Sequence, residues 1–380
     1  MNDRLLTVSG VVLCAYALST VLVTPCKVLG IHFGIMDKPG PRKNHAVPVP
    51  RTGGLAIFTA LIFVVLGNLL VLPGLKDTWL ASILPDSINA LSRYAPITPK
   101  LWALFWGSFI VALVGLADDV FGVGFSPYIK LAGQVLAALV LLAAGIHMDM
   151  LSQFGPLNLV FSLVWIVGIT NSFNLLDNMD GLSSGIALIC SLVFLTLVML
   201  KGEFFIALLL GAMIGSTLGF YQFNIRGGRI FMGDSGSLLL GFLLGAISVM
   251  ARYVDPSDAS IFPAIAPVII LGLPLFDTLS VIVIRVREGR PVFQGDQMHL
   301  SHRLVRMGMT SRQAVLFHYL MAFTIASNAL LIINSRLVHS SVAVFQVVAL
   351  VAMVSDLMAA SNGSTLRNSN GSEKNHDHGR

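Results

Sequence analysis

Asp118 and Asp119 form an adjacent carboxylate pair in GLADDV, Asp177 and Asp180 bracket a turn in NSFNLLDNMDG, and Asp234 stands between glycines in FMGDSGS. Taken one at a time, such residues serve ordinary structure, because paired Asp residues cap helix ends and Asp-Asn and Asp-Gly make turns. Taken together, they are five carboxylates beside loops that carry Lys27, Lys38, Arg42, Lys43, Arg51, Arg226 and Arg229. Carboxylates and cations in one place suit a hard metal ion that carries phosphates. Mg²⁺ keeps several waters and binds through one or two carboxylates plus substrate phosphates. Asp234 is the best single ligand, since Gly233 and Gly236 let backbone approach closely and the amides at a helix start could hold an anion nearby. His299 and His302 in QMHLSHRL are three apart, so on a helix they share a face, and Arg303 and Arg306 extend the same basic stretch. Zinc would need a further ligand at tetrahedral spacing, which this stretch does not offer. The histidines read as phosphate or sugar contacts, or as part of a solvated basic loop.

The elements that must position these residues are apolar. Of the 380 residues 55% are hydrophobic and only 11% charged, against about 25% charged in soluble domains. Uncharged stretches of roughly 20 residues exclude disordered, collagen-like, disulfide-scaffold and ordinary cytosolic classes. Cys14, Cys26 and Cys190 form no C-x-x-C pair and read as small packing residues. The first apolar segment, Leu5 to Val23, has the length of a span and lacks a small-residue cleavage site, so it is expected to be a retained helix. Eleven candidate spans begin near Leu5, Gly53, Leu101, Ile129, Pro156, Gly185, Phe204, Ser235, Ala264, Ala314 and Val342. The expected fold is an all-α polytopic membrane protein of about 10–11 transmembrane helices, without internal repeats. Residues 1–360 read as one integral membrane domain. Residues 361–380, rich in Asn, Ser, Gly and His, read as a disordered tail.

Orientation follows the Lys and Arg residues of the connections. Arg4, Lys76, Arg93, Lys100, Lys201, Arg252 and Arg336 fall on one face, and the other 17 of the 24 basic residues on the opposite one. This bias predicts the N-terminus outside and the C-terminus in the cytoplasm, with the acidic motifs on the cytoplasmic face. The sequons at Asn362 and Asn370 then lie where glycosylation is not expected. The net charge of +5 reflects topology and anionic lipid, and gives no reason to expect nucleic-acid binding.

In order along the chain, DKPGPRKNH…PRTGG from Asp37, ADD at Ala117, NSFNLLDNMDGL from Asn171, FMGDSGSLLLGF from Phe231, PLFD at Pro274 and HLSH at His299 resemble the motifs of the polyprenyl-phosphate N-acetylhexosamine-1-phosphate transferases. The resemblance covers about three quarters of the chain. It is nearest to the WecA-like branch, because HLSH continues into RMGMTSRQA; the MraY branch, which uses UDP-MurNAc-pentapeptide, is the neighbouring alternative. The resemblance implies transfer of GlcNAc-1-phosphate from UDP-GlcNAc to a polyprenyl (undecaprenyl) phosphate with release of UMP. That is the initiating step of a cell-envelope polysaccharide, at the cytoplasmic face of a bacterial-type inner membrane. It places a Mg²⁺ (or Mn²⁺) site on Asn174 and Asp234 and the catalytic pair on Asp118 and Asp119. Substrate-binding roles fall on Lys130, Asp177, Asp180, His299, His302 and Arg303. Two positions depart from the pattern: the usual D-G-x-D-G appears as Asp177-Asn178-Met179-Asp180-Gly181, and Ser301 interrupts the usual H-x-H-H.

Two other classes bear on the same residues. An ion-coupled transporter would need acids at mid-membrane depth, and only Asp277, in span nine, lies deep in its segment. A scaffold protein would have no physical motive for so many acids on one face. Gly211, Gly215 and Gly219 recur every four residues and form a smooth strip, suited either to close packing within one subunit or to a homodimer contact.

Overall fold

The protein is described here from a computed structural model, which covers residues 2–39, 47–71, 98–148, 154–227, 229–254, 262–291, 298–333 and 344–350, with a few isolated positions besides. Long Leu-, Val- and Ala-rich runs become helices because an apolar surrounding leaves backbone amides no partner but their own chain. The helices are α1 (Asn2–His32), α2 (Gly53–Val71), α3 (Thr98–Phe121), α4 (Pro127–Ala143), α5 (Pro156–Leu176), α6 (Leu182–Leu200), α7 (Phe204–Asn224), α8 (Gly233–Met250), α9 (Ala266–Ile270), α10 (Gly272–Arg287), α11 (Leu300–Arg306) and α12 (Ser311–Ile333). Pro127 and Pro156 open their helices at the first turn, where the missing N–H would have had no partner.

Among the described residues seven helices are long and apolar enough to cross a membrane, and counting the bent pair, Pro263–Ile270 with Gly272–Arg287, as one span makes eight. Two shorter apolar helices, Gly53–Asn68 and Pro127–Ala143, stand at the second and fourth expected spans. The chain is therefore an all-α polytopic membrane protein, and ten of the eleven expected spans coincide with described helices. The ninth is broken, with a 65° bend. Pro274 cannot donate to the carbonyl of Ile270, so the helical ladder is interrupted there. The eleventh expected span begins at Val342, outside the described residues, although residues 344–350 are helical. The expected tail, with its sequons, also lies outside them.

The chain divides into two units, Met1–Ala259 and Ser260–Arg380. In the first, α8 is the centre. It is apolar on every side and buried along nearly its whole length, with α2, α3, α5 and α6 packed around it. Small residues set the spacing. A Cβ on Gly241 would lie 2.8 Å from the Cα of Thr170 in α5, and one on Gly107 in α3 would strike the Phe242 ring.

The Gly211–Gly215–Gly219 strip of α7 faces α1 of the same chain. A Cβ on Gly215 would collide with the Val12 carbonyl, and one on Gly219 would sit 2.6 Å from that of Tyr16. Ser19 Oγ donates to the Ser216 carbonyl at 2.6 Å, and Gln222 Nε2 donates to Thr20 Oγ1 at 2.8 Å. Packing within one subunit is thus the strip's use, and a homodimer contact through it would have to displace α1.

A short antiparallel ribbon, β1 (Met36–Asp37) and β2 (Val49–Pro50), joins α1 to α2. Two-residue strands carry no periodicity, and nothing in the sequence pattern announces them. In the second unit α9, α10 and α11 pack on α12. Cys14, Cys26 and Cys190 form no disulfide.

Candidate active site

The chain alternates direction through the first unit, so the C-terminal ends of α3, α5 and α7 and the N-terminal ends of α2, α4, α6 and α8 meet at one end of the bundle. The acidic motifs sit on these ends. Gly115, one turn before the Asp118–Asp119 pair, lets α3 touch α8, since a Cβ there would run into the Asp234 backbone. Asp119 is buried, and its two oxygens accept the N–H groups of Asp234 (2.9 Å) and Ser235 (3.1 Å). No side chain of α8 caps its own first turn. The anion held by those amides is therefore the Asp119 carboxylate, whereas the sequence reading left them open for a ligand. Gly233 has a φ of +72°, and a Cβ on it would strike both the Arg51 carbonyl and the Asp119 carboxylate.

Asp118 faces the other way. Lys130 Nζ donates to Asp118 Oδ2 at 2.8 Å and also to Asp234 Oδ2. An ammonium in the first turn of α4 opposes that helix's dipole, so the two carboxylates are the reason it is stable there. Asp118 and Asp234 are themselves within hydrogen-bonding reach of each other. Asn174 also hydrogen-bonds Asp234, and its Nδ2 donates to Ser237 Oγ at 2.9 Å.

Asp177 follows the last turn of α5. Burial, and then the charges of Asp234, Asp119 and Asp180, push its carboxyl well above the usual carboxylate range, with Arg51 opposing. Asp180 lies on the turn into α6, which closes at Gly181 with a φ of +78°. The Gly181 amide donates to Asn224 Oδ1 at 2.8 Å, and Asn224 Nδ2 donates to the Ile230 carbonyl at 3.1 Å.

The first unit thus brings together Asp118, Asp119, Lys130, Asn174, Asp177, Asp180 and Asp234. His299, His302 and Arg303 belong to the second unit, and there the geometry departs from expectation. His299 precedes α11 in extended conformation instead of sharing a helical face with His302. Its Nδ1 lies 2.8 Å from Asp277 Oδ2, while Asp277 Oδ1 accepts the Leu300 N–H at 2.8 Å. Arg303 is buried on α11, and desolvation together with Arg306 pulls its guanidinium below its ordinary value.

Four supporting residues escaped the sequence reading. Gln134 and Asn171 exchange side-chain amide hydrogen bonds (2.5 and 3.2 Å), tying α4 to α5; Ser237 and Asn224 brace Asn174 and Gly181. Their signal is polarity inside apolar helices, with Gln134, Asn171 and Ser237 one turn from Lys130, Asn174 and Asp234.

Among the described residues no three His, Cys, Asp or Glu side chains form a ready metal cage. The site offers oxygen donors in unbalanced negative charge, with one lysine ammonium held against two of the carboxylates.

Residues 101–252 match the family described as glycosyl transferase family 4. The chain is 30% identical over 354 residues to the Bacillus subtilis protein named "Probable undecaprenyl-phosphate N-acetylglucosaminyl 1-phosphate transferase", covering 91% of this chain and 90% of that one. It is 33% identical to a decaprenyl-phosphate N-acetylglucosaminephosphotransferase of Mycolicibacterium smegmatis, over 80% of this chain and 76% of the relative. Identity is 28% to an undecaprenyl-phosphate alpha-N-acetylglucosaminyl 1-phosphate transferase of Yersinia pestis, over 85% and 84%.

Proposed function

The chain belongs to the polyprenyl-phosphate N-acetylglucosaminyl-1-phosphate transferases, and on that premise we propose that it moves GlcNAc-1-phosphate from UDP-GlcNAc to undecaprenyl phosphate, releasing UMP. A phosphate oxygen of the lipid attacks the phosphorus attached to the sugar. The new P–O–P bond forms as the bond to UMP breaks. Such a transfer asks for positioning and charge neutralisation, with little covalent work for the protein.

The observation that carries the assignment is the Lys130 ammonium between Asp118 and Asp234, beside Asn174. The excess carboxylate charge fits a divalent cation: Asp234 and Asn174 would hold Mg²⁺, which supplies charge neutralisation to a bound pyrophosphate. Lys130 adds a second positive charge for phosphate oxygens. Asp118 orients Lys130; a lipid phosphate, with a second pKa near ~6, is largely dianionic and needs little help from a base. Asp119 acts through α8, whose first turn it fastens and with it the Asp234 backbone. Asp177 and Asp180 serve the donor's nucleoside end, and His299, His302 and Arg303 of the second unit keep a substrate-binding role. Apolar grooves between helices take the isoprenoid.

The site faces the cytoplasm of the bacterial inner membrane, because the bundle end that carries the carboxylates also carries Lys27, Lys38, Arg51, Arg226 and Arg229. UMP release from UDP-GlcNAc and undecaprenyl phosphate by the purified protein, with and without EDTA, tests the reading. Full activity in excess chelator removes the metal assignment. Absence of UMP from any UDP-N-acetylhexosamine removes the function.

A further inference from the structure

Arg51 belongs to the PRTGG motif but has no role among those assigned above, and the backbone holds it against the acidic site. The Pro50 carbonyl accepts the Phe231 N–H at 2.8 Å. The Gly53 and Gly54 amides donate to the carbonyls of Phe231 (3.0 Å) and Met232 (2.8 Å). PRTGG is in this way sewn to FMGDSGS, just ahead of Asp234. The two glycines make the seam possible: a Cβ on Gly54 would collide with the Gly236 backbone, and one on Gly53 with the Phe220 ring. On the other side, the Arg51 N–H donates to the Ile35 carbonyl at 3.1 Å, and Thr52 Oγ1 donates to the Cys26 carbonyl at 2.7 Å.

Between these two anchorages the Arg51 side chain has little latitude. Its guanidinium pairs with Asp37, a buried carboxylate on β1, and its charge acts on both Asp119 and Asp177. The side chain is 33% exposed, whereas Lys130 is 16% exposed and already committed to two carboxylates. Among the described residues Asp118, Asp119, Asp177, Asp180 and Asp234 gather here with Lys130 and Arg51, and phosphorylated substrates bring still more negative charge.

We propose that Arg51 is a substrate-binding residue, its guanidinium fork held by Asp37 so as to take phosphate oxygens at the rim of the site. The proposal rests on the transferase reading. The phosphate belongs either to the polyprenyl acceptor or to the sugar-nucleotide donor. A planar fork suits two phosphate oxygens at once, which an ammonium does not, so lysine is a poor replacement.

The test uses the full chain in detergent and measures dissociation constants for undecaprenyl phosphate and for UDP-GlcNAc separately, alongside UMP release. Arg51→Gln weakens one ligand about tenfold, on the scale of a lost charge-assisted hydrogen bond, and Arg51→Lys restores only part of the loss. Selective weakening of undecaprenyl phosphate assigns the contact to the acceptor, and selective weakening of UDP-GlcNAc assigns it to the donor. Unchanged affinity for both ligands in folded Arg51→Gln overturns the proposal. Should that variant not fold, Asp37→Asn decides: it keeps the guanidinium but loosens its anchor, and unchanged affinity for both again overturns the proposal. A wild type that binds both ligands but releases no UMP would sink the transferase reading while leaving the phosphate contact measurable.

Discussion

Two acidic regions of this protein are built on opposite electrostatic plans. In the second unit Asp277 is fully provided for within the chain: one oxygen meets the His299 ring and the other the Leu300 amide. In the first unit, among the described residues, five carboxylates gather with Lys130 and Arg51, and Asp177 stands in the field of three like charges with Arg51 opposing them. A buried carboxylate with a complete set of partners holds structure in place. Carboxylates gathered beyond what their cations neutralise store repulsion that a ligand of positive charge relieves, and a site of that kind is kept for binding.

The contrast orders the effects of substitution. Asp234→Ala removes the carboxylate at the centre of the crowded region and is expected to lower UMP release at least about 10³-fold while the protein still folds, the scale of losing a preorganised charge at a phosphoryl-transfer site. Near wild-type turnover would show that the crowding has no catalytic purpose. Lys130→Met should lower the rate about 100-fold and also lower the melting temperature, because Asp118 and Asp234 are left facing each other without their cation.

Asp277→Asn keeps the shape of the satisfied pair but gives up an acceptor. The expected cost is about 1–3 kcal/mol of stability with a rate loss of no more than about tenfold. A loss as deep as that of Asp234→Ala would erase the distinction between the two regions.

The smallest effect concerns pH. With its carboxyl pushed upward, Asp177 binds a proton more tightly in the folded protein than in the unfolded chain. Its contribution is therefore fully present at acid pH and is lost as pH rises from the ordinary carboxylate range through the raised value. Melting temperature in EDTA should fall over that window by a few degrees, and Mg²⁺ should recover it more at alkaline than at mildly acidic pH. Equal recovery at both pH values would dissociate Asp177 from the cation.

Much of this was legible in the sequence because apolar length and acidic clustering are local properties. Pro127 and Pro156 mark helix starts, and DD, DNMDG and GDSG mark the bundle end that carries the site. What the pattern could not show depends on pairing across long separations. Asp118 and Asp119 are neighbours with indistinguishable chemistry in the sequence, yet one turns to Lys130 and the other fastens α8, because Gly115 and Gly233 bring the backbones into contact from opposite sides. His299 and His302 have helical spacing, but Asp277 captures the first and holds it outside α11. The kink before α10 is marked by Pro274, which has no N–H with which to continue the helical ladder.

The interlock of α1 with α7 bears on how the molecule is made. Synthesis proceeds from the N-terminus, and domains assemble in that order where their contacts allow. Here the surface that α1 needs, the groove over Gly215 and Gly219, does not exist until α7 has emerged, and the Ser19–Ser216 bond joins residues 197 positions apart. The first helix must therefore wait in the bilayer while the helices between it and α7 insert, exposing to lipid and to quality-control proteases a face that ends up sealed. Truncations that stop before α7 would leave that face permanently open, which makes α7 the point at which the first helix finds its final place.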